Sequence, residues 1–401
     1  MIRMYRNATS LADYRWLTSP ETAALLHELQ QQLTAAGQVD VRLAASLRKS
    51  HSSSHTHLLL EQVELRSRAR DKFVDPSALF FTRKGLEQCT DEVLARYKAH
   101  RFAKDQPVVD LCCGIGGDAL ALAGRGSLTA WDADSVTAHF AACNLSGFQP
   151  ESSEVKCALA DQTAVQSAAA WHIDPDRRAD GERTIQLNDY EPGPVLLREL
   201  LQTNPQGAIK IAPAAELNAN DWPPCEREWL GSRGECRQQV LWFGDLARQA
   251  DQHVATVVNS QGVACSFRGS AGVPLNPAEA VLSYLYEPDA TILAAGLAGA
   301  FAEQHQLSAI TAGGGYLTSD HSMEHSLVTR FRVRDVLPFD VKKLKAYCRE
   351  HQLGQLEIKK RGVELQPHHL RRQIMSSGSE AAVILIAPVG EAVKAITAER
   401  A

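Results

Sequence analysis

The stretch Val109-Asp-Leu-Cys-Cys-Gly-Ile-Gly-Gly-Asp118 decides how this chain is read. An apolar run beginning at Val108 enters a glycine-rich turn, and DALALAG (118–124) continues it with a helical pattern. Strand, glycine loop and helix form the opening unit of a parallel α/β sheet. Gly114, Gly116 and Gly117 allow a sharp turn and a close approach of backbone to ligand. The spacing Gly114-x-Gly116-x-x-Ala119 also satisfies the dinucleotide fingerprint, so the loop alone admits a nicotinamide cofactor.

Working outward, short apolar runs alternate with helical stretches. They are SLTAWD (127–132), EVKCALAD (154–161), AAAWHID (168–174), GAIKIAP (207–213), QVLWFGD (239–245) and VATVVNS (254–260). This alternation predicts an α/β, doubly wound, Rossmann-like sheet. The runs at 239–244 and 254–259 are close in sequence, which predicts an antiparallel pair at the sheet edge.

The strand ends carry acids. Asp110 sits four residues before Gly114, where a carboxylate suits an amino acid's ammonium and repels a pyrophosphate. Asp132 ends the next strand, 22 residues on, where an acid accepts ribose hydroxyls. Asp161 ends the third and is placed to take an adenine amino group. Acid, glycine loop, acid, acid in strand order is a pattern for S-adenosylmethionine. The fourth strand ends in Asp174-Pro175-Asp176-Arg177-Arg178, facing the methyl group and its acceptor. Asp174 is expected to orient the acceptor with Asp176 second, Pro175 to shape the turn, and Arg177 and Arg178 to meet a phosphate. Tyr190, in a loop near the same edge, is read either as a base-stacking ring or as a packing residue. Cys112 and Cys113 flank the loop and are expected to pack.

The remainder frames this core. The 401 residues are 44% hydrophobic and 22% charged, which excludes a disordered chain, a collagen and a coiled coil. The longest uncharged apolar run, Ile292 to Ala302, is too short to span a bilayer. No signal peptide is read in MIRMYR, and nine cysteines without a C-x-x-C motif predict reduced thiols in a cytoplasm rather than disulfides or a metal site. Residues 1–75 read as a helical region, with Leu25, Leu26, Leu29 and Leu33 at helical spacing after Ser19-Pro20-Glu21. Ser50–His57 reads as a loop, and Asp75-Pro76 as the end of the helix after it. NPAEAVLSYLYEPDATILAAGLAGAFAEQHQL (276–307) reads as helical. A small α+β module follows, with a helix in VKKLKAYCREH and strands in QLEIKKRGVEL and AAVILIAP. The net charge is −5, yet Arg330 to Arg372 holds twelve basic residues against five acids, a candidate polyanion surface.

DLCCGIGGD, preceded by KFVDPSALFFTRKGLEQCTDEVLARY, resembles the class I S-adenosylmethionine-dependent methyltransferases related to the trimethylguanosine synthases. The match runs from about Lys72 to Gly269. IKKRG (358–362), GGGYLTSD and the LPF step at 337–339 are similar to the THUMP-like domain found behind bacterial methyltransferases. The resemblance implies a methyltransferase domain over 76–270 and a THUMP-like domain over 271–401 that is suspected of binding RNA. It implies cofactor contacts at Asp110, Cys112, Gly114, Gly116, Asp132 and Asp161, with Phe80 and Thr82 closing over the methionine end. It points to Lys359, Lys360 and Arg361 as RNA contacts. At 174–178 the chain has Asp-Pro-Asp-Arg-Arg where cap-type enzymes have Ser-Pro-Pro-Trp-Gly, so the acceptor atom does not carry over. The expected activity is methyl transfer to RNA. A small-molecule or protein methyltransferase, or an RNA-binding relic of the fold, is the alternative.

Overall fold

The structure is a computed structural model that describes residues 9–36, 41–148, 152–179 and 182–401. It divides into two compact units. One comprises Met1–Pro224, Leu241–Arg248 and Ser260–Gly262, the other Cys225–Val240, Gln249–Asn259 and Val263–Ala401.

The first unit begins with helices α1 (Leu11–Leu17), α2 (Pro20–Ala36), α3 (Val41–Leu47) and α4 (Ser53–Ala69). Ser10 and Asp13 form a reciprocal capping box on α1, and Pro20 opens α2 where its missing N–H costs no bond. Ser50–His57 is not a loop throughout. The Ser52 hydroxyl accepts from the His55 N–H and starts α4 inside it, and His55 stacks on Trp16 at 3.6 Å. The helix ends at Ala69, before Asp75-Pro76. Leu17, Leu26, Leu58, Leu59, Val63 and Leu65 share one core with Phe81, Ile115 and Phe140. The N-terminal helices therefore pack directly on the glycine loop.

Helices α5 (Arg83–Gln88) and α6 (Glu92–Ala99) lead into the sheet. Next come β1 (Val108–Leu111), α7 (Ala119–Ala123), β2 (Leu128–Asp132), α8 (Ser135–Ser146) and β3 (Ser153–Cys157). Beyond β4 (Ala170–Ile173), a short ribbon pairs β5 (Arg178–Ala179) with β6 (Glu182–Arg183), before α9 (Pro194–Thr203) and β7 (Gly207–Ile211). The strands lie β3-β2-β1-β4-β7, every neighbouring pair parallel. Both faces of β1 are buried, which explains why its residues other than Asp110 are apolar. Strand order reverses beside β1. In open α/β sheets a ligand lies in the crevice past the strand ends at that switch point.

The second unit holds β8 (Glu226–Ser232), most of β9 (Glu235–Trp242), β10 (His253–Val258) and β11 (Ala264–Gly269). The antiparallel partner of β10 is β11, and its other neighbour, β8, is parallel. The expected hairpin between 239–244 and 254–259 is thus corrected. Sequence reading missed both of these neighbours, because EREWLGS and ACSFRG mix charges with apolar residues.

A second sheet uses β12 (Tyr284–Pro288), β13 (Ser308–Ala309), β14 (Leu317–Ser319), β15 (Val328–Pro338), β16 (Leu353–Lys360), β17 (Glu380–Val389) and β18 (Ala392–Arg400). Its order is β13-β14-β12-β15-β18-β17-β16. Helices α10 (Ala290–Ala294), α11 (Ala298–Gln304), α12 (Val341–Glu350) and α13 (Pro367–Ile374) complete the unit. The helix expected over 276–307 is corrected to β12, α10 and α11. Pro288 cannot continue a helix, and Asp289 caps a new one by accepting from the Thr291 N–H. Among the described residues no helix is long and apolar enough to cross a membrane.

Candidate active site

β1 ends in a loop whose conformation demands its glycines. Gly114 and Gly116 take φ of +59° and +94°, and Cys112 shares the left-handed region at +53°. A Cβ on Gly114 would meet nothing within 4 Å, so the loop leaves a cradle open there. Asp132, at the end of β2, closes one side. Its Oδ2 accepts from the Gly114 N–H at 2.9 Å and its Oδ1 from the Asp134 N–H at 3.0 Å. Burial pushes the Asp132 carboxyl up, and these two bonds oppose the shift.

Asp110 is fully buried. The ring of His172, its register partner on β4, donates from Nδ1 to Oδ1 at 2.7 Å. The other oxygen, Oδ2, is buried and has no hydrogen-bond partner. Burial raises the Asp110 carboxyl, with His172 opposing. An orphaned carboxylate oxygen beside a glycine cradle, with a second acid one strand over, fits the ammonium and ribose ends of S-adenosylmethionine. Asp161 lies four residues beyond the end of β3. It is exposed and caps a short 3₁₀ turn by accepting from the Thr163 and Ala164 N–H groups.

Phe80 reaches the loop through a residue that sequence reading missed. The Asn144 side chain of α8 accepts from the Phe80 N–H at 2.7 Å and donates to the carbonyls of Phe80 and Ile115. Thr82 caps α5 by accepting from the Gly85 N–H.

At the end of β4, Asp174 accepts from Lys210 Nζ of β7 at 2.5 Å, and its side chain stays one-quarter exposed. Asp174 faces the Lys210 ammonium, which Asp174 raises against the opposing effect of burial. Pro175 is buried. Asp176 accepts from Lys84 at 2.7 Å and Gln88 at 3.1 Å, linking the β4 loop to α5. Burial raises its carboxyl, but Lys84 and Gln88 outweigh that and hold it low. Arg177 is half-buried, and Arg178 starts β5.

Tyr190 is corrected to a packing residue. It is buried, and its hydroxyl accepts from the Ala212 N–H at 3.0 Å, so no ring face is open to a base. Two of the three expected RNA contacts are also engaged elsewhere. Lys359 and Arg361 both donate to Glu287, at 2.6 and 3.4 Å, while Lys360 is exposed.

Between the two strand ends runs a polar network that sequence reading did not assemble. Lys210 donates to Thr90, and the Thr90 hydroxyl donates to Asp118 at 2.7 Å. Lys98 pairs with Asp118 at 2.7 Å and lies 3.4 Å from His172 Nε2. Burial raises Asp118, but Lys98, His172 and Lys210 outweigh it and hold the carboxyl well below its usual range. A signal was present, since Lys210 sits inside the apolar strand GAIKI, and a charge in a buried strand requires a partner.

Residues 328–400 match the model described as THUMP domain-like, and residues 10–69 match a domain of unknown function, DUF8688. An uncharacterized S-adenosylmethionine-dependent methyltransferase of Mycobacterium tuberculosis, found in strains CDC 1551 and H37Rv, is 29% identical over 348 residues, covering 83% of this chain and 92% of its own. A candidate methyltransferase from Porphyromonas gingivalis W83 shares the fold at a TM-score of 0.75 and 21% identity, covering 98% of each chain. Fold, strand-end site and relatives together define an S-adenosylmethionine-dependent methyltransferase with a THUMP-like domain toward its C-terminal end. In particular, the chain is similar to the mycobacterial enzyme over most of both lengths.

Proposed function

We propose that this enzyme methylates a nitrogen of an RNA base, either a ring nitrogen or an exocyclic amine. The observation that carries the acceptor side is Asp174. It is partly exposed just past the end of β4, next to the strand that bears Asp110, and it is anchored from below by Lys210. The cofactor, when bound, supplies a methyl group activated by its sulfonium, with the C–S electron pair leaving on sulfur. Asp110 holds the ammonium end, Asp132 the ribose, and the backbone of Gly114 and Gly116 lets the ligand approach. Phe80 and Thr82 close over the methionine end, and Cys112 lines the loop. Asp161 accepts from the adenine amino group. Asp174 accepts a hydrogen bond from the acceptor N–H, aims the nitrogen lone pair at the methyl carbon, and passes the lost proton to water. Pro175 shapes the turn, Asp176 stands second to Asp174, and Arg177 faces phosphate, while the side chain of Arg178, the other arginine expected there, lies outside what the structure describes.

Total RNA from cells lacking this protein, incubated with tritium-labelled S-adenosylmethionine, is expected to take up label. Asp174→Ala should reduce uptake about 100-fold, the lower range for a lost proton-handling group, with S-adenosylhomocysteine affinity kept within about threefold. Label entering protein or small molecules, with RNA unlabelled, would overturn the RNA reading.

Support for RNA also comes from the second unit. Helices α12 and α13 bury Leu344, Cys348, Leu370 and Ile374 and expose Lys342, Lys343, Lys345, Arg349, Arg371 and Arg372. No ion pair engages these six among the described residues. We assign phosphate contact to this face, beside Lys360, rather than to Lys359 and Arg361. The triple variant K345A/R371A/R372A should weaken tRNA binding about tenfold and flatten its salt dependence. K359A/R361A should change either far less. Gel-shift titrations between low and physiological salt compare the two.

A further inference from the structure

We propose that His172 is a positioning residue for the cofactor: neutral and protonated on Nδ1, it fixes Asp110 with one oxygen free for the ligand's ammonium, and the cluster it belongs to releases a proton when that ammonium arrives. The proposal rests on the assignment of Asp110 to the ammonium end.

Hydrogen-bond directions set the state of the ring. An ammonium can only donate. Lys210 donates to Asp174 and Thr90, and the Thr90 hydroxyl donates to Asp118. Lys98 donates to Asp118 and lies 3.4 Å from His172 Nε2, while the other group near Nε2, Asp118 Oδ2, is 3.9 Å away and beyond a hydrogen bond, so Nε2 accepts from Lys98. The single ring proton is then on Nδ1, where it is given to Asp110 Oδ1 at 2.7 Å. A doubly protonated ring would set an N–H against the Lys98 ammonium. Asp110, Asp118 and Asp174 each accept from at least one donor in this network, and the buried Oδ2 of Asp110 has none.

The charges do not balance. Asp110, Asp118, Asp132 and Asp174 stand against three cations, Lys98, Lys210 and Arg177, the last acting on Lys210 from the β4 loop. The other groups turned toward Asp110 and its loop are the thiols of Cys112 and Cys113, and neither is a cation. One uncompensated negative charge in a buried site is costly, and a protein removes it by taking up a proton or by pairing it. The open site therefore holds the extra proton on the Asp110 carboxyl, which burial raises. The incoming ammonium supplies the same positive charge, and the proton leaves to solvent. Affinity for an ammonium-bearing ligand therefore rises with pH, up to tenfold per unit, until the free protein's Asp110 carboxyl has lost its proton, and is flat above.

Titration calorimetry in buffers of different ionisation enthalpy, at about pH 6, counts the protons. S-adenosylhomocysteine carries the aminoacyl ammonium, and 5′-methylthioadenosine lacks it. Release approaching one proton with the first ligand and none with the second is expected. His172→Phe should weaken S-adenosylhomocysteine about tenfold or more and leave methylthioadenosine unchanged. His172→Gln, which returns an N–H toward Asp110, should recover most of that loss. Equal proton counts for the two ligands would overturn the proposal, as would S-adenosylhomocysteine binding His172→Phe as it binds wild type. If His172→Phe does not fold, the wild-type proton count and the Gln variant decide. Unchanged S-adenosylhomocysteine affinity in Asp110→Ala would remove Asp110 from the ammonium site and, with it, the foundation of the proposal.

Discussion

Replacing Asp110 with asparagine is expected to weaken S-adenosylhomocysteine binding by about 100-fold in calorimetry, while the unfolding midpoint stays at or above that of wild type. The two halves follow from one geometry. Asp110 is buried on β1, its Oδ1 accepts from His172, and its Oδ2 has no partner. Asparagine is isosteric, and its oxygen can still accept from His172. Its amide nitrogen then takes the place of Oδ2 and turns a donor toward the ligand's ammonium. A charged hydrogen bond is worth about 1.5–3 kcal/mol, and the upper end of that range corresponds to roughly 100-fold in affinity. Asparagine is neutral, as the protonated Asp110 carboxyl of the free protein is, so stability does not fall. Asp132→Ala is expected to lose less, because that carboxylate is only half-buried and its two protein donors are backbone groups of its own loop and turn. Affinity within threefold of wild type in Asp110→Asn would sink the assignment.

Lys98→Met carries the largest expected loss of stability. Lys98 and Asp118 form a buried pair at 2.7 Å, with side chains 2% and 8% exposed. Methionine fills the space of the lysine stem but leaves Asp118 with Thr90 and a distant His172. Breaking a buried pair by removing one partner costs about 3–5 kcal/mol, since the remaining charge stays in low dielectric. Urea denaturation at pH 7, followed by tryptophan fluorescence, measures it. The pH dependence has a definite sign. Asp118 is held low in the folded wild type, so its contribution is present above the ordinary carboxylate range and is lost as pH falls through the folded value. In the variant, Asp118 takes up a proton early and becomes neutral. The gap between the two proteins should therefore narrow as pH drops toward 4. A loss under 1 kcal/mol at pH 7 would show that the pair is not buried in solution.

The strands of the first sheet were legible because β1, β2, β4 and β7 are short apolar runs between helical stretches, with a glycine loop behind the first. Local pattern carries such elements. The N-terminal helices were legible through leucine spacing, except where SHSSSHTH hid a helix start that Ser52 caps and Trp16 covers. β8 and β11 escaped notice because strands that mix polar and apolar residues leave no clean period. The helical reading of 276–307 failed for a related reason. Its apolar residues suit a helix or a strand, and pairing of Leu285 and Tyr286 with β14 and β15 made the choice.

The same division holds for the site. By itself the sequence determined the glycine loop and the placing of Asp110, Asp132 and Asp174 at or just past strand ends, because strand, turn and acid are neighbours along the chain. Only the tertiary structure decided what those acids touch. Lys98, His172 and Lys210 lie 12 residues before, 62 after and 100 after Asp110 in sequence, and their meeting depends on the order β1-β4-β7. Tyr190 and the pair Lys359 and Arg361 look available in sequence. Their partners, the Ala212 N–H and Glu287, are distant in sequence, and a hydrogen bond to a distant residue leaves no trace in local composition.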